Sequence, residues 1–163
     1  DVVNSVNIPD DYGPSGFCMV GNNIYVIGSH WTGWTPDEGK LFIVNKNSFT
    51  IQKTVLLGKK NPYGHSIICT SNYIYVLTTG DYSSDEGAIV KLDLDGNILK
   101  TTEVGGSPTG IYLANNKIYI TYNSGNKGLA VYSVVNVVLE RGASNPLFSG
   151  KAFDGGCVGK ISS

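Results

Sequence analysis

His30 and His65 are the only two histidines in this 163-residue chain, and each follows closely on a glycine, at Gly28 and Gly64. An imidazole titrates near neutral pH and can serve as a general base. No Ser-His-Asp or Cys-His constellation is evident from the spacing, so the plainer reading of both is a hydrogen-bonded structural histidine. Carboxylates supply a second candidate, because the tripeptides Asp37-Glu38-Gly39 and Asp85-Glu86-Gly87 repeat one another. Paired acids brought together offer the oxygen ligands that Ca²⁺ takes. The alternative is turn chemistry, in which Gly allows the bend and the acids are solvated. Asp93-Leu94-Asp95-Gly96-Asn97 has the outline of a calcium loop without its later acidic ligands, and reads as a hairpin turn. A third candidate is aromatic. Trp31 and Trp34 stand three apart in a stretch rich in Gly, Thr and Pro. They suit a contact with another subunit or partner, packing across their own loop, or a platform on which a carbohydrate stacks.

Composition narrows the classes of function. Charged residues make up 15% of the chain and nearly cancel, leaving a formal charge of −1. Nucleic-acid binding is not expected, since no basic stripe is present. No apolar run approaches the roughly 18 residues of a membrane span. The chain opens on Asp1, and its composition is rich in Tyr and low in charged residues. The resulting expectation is an extracellular or cell-surface protein whose signal peptide is already removed. Cys18, Cys69 and Cys157 are odd in number and lack metal-ligand spacing. They read as buried small hydrophobes, or as including a disulfide that uses Cys157 within or between chains.

The elements that position these residues come from a repeat. Pro14-Ser15-Gly16, Pro62-Tyr63-Gly64 and Pro108-Thr109-Gly110 each precede an Ile-Tyr-aliphatic triplet, at Ile24, Ile74 and Ile118. The three prolines are 48 and 46 residues apart, near the length of one four-stranded propeller blade, about 40 to 50 residues. In the second copy, Gly64 to Cys69 is the expected innermost strand. Tyr73 to Thr79, Ala88 to Leu94 and Ile98 to Val104 follow as the other three, with turns at Ser71-Asn72 and Asp95-Gly96-Asn97. Gly28 to Glu38 and Gly80 to Glu86 are then polar loops on the face where ligand chemistry collects in propellers. His65 falls at the mouth of the central channel, with Phe17 and Ile111 as its counterparts. Almost no helix is expected.

These residues resemble the YVTN family of β-propeller repeats, on the strength of Tyr25-Val26-Ile27-Gly28, Tyr75-Val76-Leu77-Thr78 and Tyr119-Ile120-Thr121-Tyr122. The first two positions match and the last two drift. The resemblance implies a propeller, frequently on secreted or surface proteins of archaea and bacteria. It implies no reaction, because propellers host many functions. Streptogramin lyases and lactonase-type propellers share the general look and supply an enzymatic alternative, with His65 and His30 as its catalytic candidates.

The ends complete the reading. Residues 1–12 are expected as an outer strand, 13–60, 61–106 and 107–144 as three blades, and 145–163 as a partial blade. The result is an all-β propeller of about four blades whose last blade is truncated. Val2, Val3, Val6 and Ile8 are the apolar residues of an N-terminal strand that completes a blade, either within the chain or in a neighbour. Donation to a neighbour is head-to-tail and can build a polymer or fibre. The function expected is a non-enzymatic structural or adhesive subunit that self-associates, with Trp31, Trp34, Asp37, Asp85 and Glu86 on its binding face. The alternatives are the lyase or lactonase enzyme and a module that binds a ligand or partner.

Overall fold

In the run Tyr73-Ile74-Tyr75-Val76-Leu77-Thr78, every residue after the first is buried. Successive strand side chains point to opposite faces, so such a run must be covered on both. The computed structural model describes residues 4–9, 11–58, 63–81, 86–124, 129–142 and 144–145, and shows how that covering is achieved. Twelve strands form three antiparallel sheets, each in chain order. The first sheet contains β1 Tyr12–Val20, β2 Asn23–Thr32, β3 Thr35–Asn45 and β4 Thr50–Leu56. The second contains β5 Gly64–Cys69, β6 Tyr73–Thr78, β7 Ala88–Asp93 and β8 Ile98–Glu103, and the third β9 Ser107–Ala114, β10 Lys117–Ser124, β11 Ala130–Ser133 and β12 Leu139–Arg141. None of the described residues is helical.

Sheet stacks on sheet with the innermost strands β1, β5 and β9 in sequence. Ile74, Val76, Val90 and Leu92 on one face of the second sheet meet Tyr25, Ile27, Leu41 and Ile43 of the first. Tyr75, Leu77 and Ile89 on its other face meet Ile118, Ile120 and Tyr122 of the third. Each fully buried aliphatic or aromatic side chain contributes about 1.5–3 kcal/mol relative to an exposed one. Polar ties fix the stacking angle. The Tyr25 hydroxyl donates to the Leu94 carbonyl and the Tyr75 hydroxyl to that of Val134, each at 3.0 Å.

Turn chemistry sets the register. Asn115 and Asn116 have φ of 48° and 59°, which is the left-handed pair that a two-residue hairpin turn requires. At Gly96, φ is 79° and a Cβ would lie 2.8 Å from Val55 Cγ2, so this turn can press against the first blade only as glycine.

Four expectations change. Over residues 4–8 the outer strand expected for Val2 to Ile8 is absent. There the Asn4 side chain accepts from the Ser5 amide, a local bond that competes with a ladder. Val6 and Ile8 instead pack on Tyr12, Phe42 and Val44, the outward face of the first blade. Val2, Val3 and the expected partial blade from Pro146 onward lie outside the described residues.

Gly28 to Glu38 is not a loop. β2 and β3 run on as a hairpin through Thr32 and Thr35, and Gly33, at φ 62°, makes the turn. The proline repeat is also out of frame in its second copy. Strand register places a bulge at Ser15, His65 and Thr109, so the counterparts of His65 are Ser15 and Thr109, not Phe17 and Ile111. The fourth change concerns sulfur. Cys18 on β1 and Cys69 on β5 form a disulfide between the first two blades, with Cα atoms 5.9 Å apart. Cys157 lies outside the described residues.

Candidate functional site

The β2–β3 hairpin and the start of β5 bring most of the expected site residues to one end of the blades. Gly64 N donates to the buried Ser29 Oγ at 3.2 Å, and Thr79 N donates to the Tyr63 carbonyl at 3.0 Å. These bonds hold Tyr63 where the Trp31 ring meets it edge-on, with centroids 5.3 Å apart. Tyr63 in turn meets His65 at 5.4 Å and 90°. Trp31, Tyr63 and His65 therefore form one aromatic run from the hairpin to the inner strand. Trp34 does not join it. At the hairpin tip it is 97% exposed, the most exposed of the large hydrophobic side chains described.

His65 sits in the β5 bulge, where burial pushes its pKa below the ordinary 6.5, a shift that the nearby Thr109 backbone of the next blade opposes. Its Nδ1 is buried and unpartnered among the described residues. His30 belongs to a different network. Its Nδ1 pairs with Asp37, whose second oxygen accepts from the Thr32 hydroxyl. The Thr32 and His30 bonds lower the Asp37 pKa, and the Asp37 bond raises that of His30.

Beside this pair, Tyr12 donates to Glu38, Glu38 pairs with Lys40 at 2.7 Å, and Lys40 Nζ lies 4.3 Å from the Tyr12 ring centre. Lys40 and Tyr12 hold Glu38 below the usual carboxylate range. Together with Asp11 these groups line an open polar depression on the first blade. The arrangement can hold a proton on His30 and orient the Glu38 carboxylate.

The acidic tripeptides are divided between roles. Gly39 and Gly87 accept from Leu57 N and Val104 N respectively, at 2.9 and 2.7 Å, where the outer strand leaves each blade. A Cβ on Gly87 would meet Pro108 Cγ at 2.7 Å and the Gly105 carbonyl at 2.8 Å, so glycine is required by close approach. Glu86 is exposed, and Asp85 lies outside the described residues. Asp93 caps its hairpin as expected, accepting from Asn97 N at 2.7 Å and Asn97 Nδ2 at 2.8 Å. Sequence alone does not point to Tyr12, Lys40 or Tyr63, although Tyr63 lies within a Pro-x-Gly motif and Tyr12 stands two residues before another.

No family model and no curated protein matches the chain, and the likeness to YVTN repeats rests on the residues quoted above. Solved structures do match. The Dos1 propeller aligns with a TM-score of 0.59 at 7% identity, over 82% of this chain and 34% of that one. The fold is a β-propeller. A Bacteroides caccae protein of unknown function aligns at 0.57 and 10% identity, over 84% of this chain and 48% of that one. Apo AztD from Citrobacter koseri aligns at 0.52 and 15%, over 87% and 49%. At these identities the likeness is one of fold alone, and the chain spans half or less of the length of these structures.

Proposed function

We propose that this chain is a non-enzymatic, extracellular propeller subunit that works by associating with further copies of itself. The observation that carries the reading is apolar surface left over after the blades have stacked. On the first blade, Phe17 and Met19 are 65% and 60% exposed, at an edge where each later blade meets a predecessor. An open groove lined by Pro14, Phe17, Ile24 and Val26 runs beside them. Contiguous exposed apolar surface of this kind marks an interaction site. Trp34, presented at a hairpin tip, adds an amphipathic anchor of the type enriched at interfaces. The Cys18–Cys69 disulfide supports the extracellular part of the reading, because such bonds persist in oxidising compartments. Multi-angle light scattering of the oxidised chain tests the proposal: mass should rise with concentration, and Phe17→Asp should suppress the rise.

The enzymatic reading, of lyase or lactonase type, draws its support from the buried His65 Nδ1, which has no hydrogen-bond partner among the described residues. It requires that His65→Ala abolish turnover of an ester or lyase substrate while the melting temperature stays close to that of the wild type.

A further inference from the structure

The two internal blade junctions obey one rule, and the chain carries the parts for a third. In the first blade, Tyr25 pairs across the sheet with Ile43, and Ile43 with Lys53. In the second, the same register runs Tyr75, Lys91, Lys100. Both rows point at the following blade and grip the turn between its third and fourth strands. Tyr25 donates to the Leu94 carbonyl and Lys53 to that of Asp95, at 3.0 and 2.7 Å. Tyr75 donates to Val134, Lys91 to Val135 and Lys100 to Asn136, at 3.0, 2.7 and 2.5 Å. A hydroxyl and a cation thus hold successive carbonyls of one turn.

The third blade repeats the row as Tyr119, Val131, Arg141. Among the described residues Tyr119 donates to no following blade, and the Arg141 guanidinium donates locally, to Asn145 Oδ1 at 2.6 Å. The complementary surface exists on the first blade. Its turn is built like the other two, with Asn45 Oδ1 accepting from Asn47 N and Ser48 N at 2.9 and 3.0 Å. Register aligns the Lys46 carbonyl with those of Leu94 and Val134. Ile24, Val26, Phe42 and Val44 stand where Ile74, Val76, Val90 and Leu92 meet a preceding blade. Val6 and Ile8 cover the Tyr12, Phe42 and Val44 part of this face, and Phe17 and Met19 stay exposed.

We infer that the third blade of one copy docks on the first blade of a second copy, head-to-tail, with Tyr119 and Arg141 gripping the turn at Lys46 and Asn47. The inference rests on the self-association proposed above and names its two surfaces. The occupant is a second copy because every chain carries both the donor row and the matching turn and apolar face, so one contact uses both. Being heterologous, the contact yields a ring if the rotation closes and a filament if it does not.

The disulfide provides the test. Cys18 is paired across its sheet with Tyr25, and Cys69 with Ile74. The same positions in the third junction are Tyr112, paired with Tyr119, and Met19, paired with Ile24. The double variant Met19→Cys, Tyr112→Cys should therefore form a covalent bond between copies under mild oxidation, seen on a non-reducing gel well above either single variant. Tyr119→Phe and Arg141→Ala should each weaken association about fivefold, the loss of one hydrogen bond. If the wild-type chain associates but the cysteine pair does not cross-link and both variants associate normally, the surfaces assigned here are wrong and self-association stands. If the wild-type chain stays monomeric, both proposals fall. If Tyr119→Phe lowers the melting temperature of a monomer without changing association, the face is filled within one chain, and the head-to-tail contact is overturned.

Discussion

The Tyr75 hydroxyl lies 3.0 Å from the Val134 carbonyl, joining the second strand of one blade to the outer turn of the next. Burial pushes this tyrosine's pKa up to about 12, so the hydroxyl stays a donor throughout the neutral range. Tyr75→Phe keeps the ring and removes the donor, leaving a buried carbonyl without its partner. The expected cost is about 1–3 kcal/mol, read as a lower urea midpoint with an unchanged slope. No loss would mean that blade stacking depends on shape alone.

Reducing the Cys18–Cys69 bond should destabilise the chain much more. The two cysteines are 51 residues apart in sequence, and the chain-entropy account assigns a loop of that length about 4 kcal/mol. Cys18→Ser and Cys69→Ser should lose equal stability, and added reductant should then have no further effect on either. Peptide mapping that finds Cys18 free in the oxidised protein would contradict the pairing.

With only two imidazoles, a proton NMR titration can separate the two networks. His30 should titrate above 6.5, because Asp37 hydrogen-bonds its charged form, and His65 below 6.5, because burial disfavours charge. The consequences for stability have opposite signs. The His30 contribution is complete below 6.5 and fades as pH rises through its raised folded value. The His65 environment penalises acidification, since below 6.5 the unfolded chain binds a proton that the folded imidazole resists. His30→Gln should flatten the first dependence and His65→Gln the second.

Chelator should leave the melting temperature unchanged, because Asp37 and Glu38 already accept from Thr32, His30, Tyr12 and Lys40. A fall of more than about 10 °C would place Ca²⁺ among the ligands that bind only the native state.

Much of the blade architecture could be read from the residues themselves. Gly64 to Cys69 is the innermost strand in both readings, because Gly64 opens it and the turn at Ser71-Asn72 closes it. Asp93, Gly96 and Asn97 made the next hairpin legible, since capping and positive φ are local properties. What depends on register between blades was not legible. Two extra residues between Pro62 and Ile74, compared with the other copies, hid the equivalence of His65 with Ser15 and Thr109. Cys18 and Cys69 differ by one strand position, which turns one forward and the other back toward it. That meeting appears only once the sheets are stacked. Trp31 and Trp34 looked alike in sequence, yet one lies against Tyr63 and the other projects from the hairpin tip.

Sedimentation velocity of the oxidised chain, from dilute to concentrated solution, decides whether the end blades drive self-association. A monomer should give way to discrete rings or growing filaments as concentration rises, with Phe17→Asp holding the chain as monomer. A wild-type chain that sediments as a strict monomer at every concentration would contradict self-association.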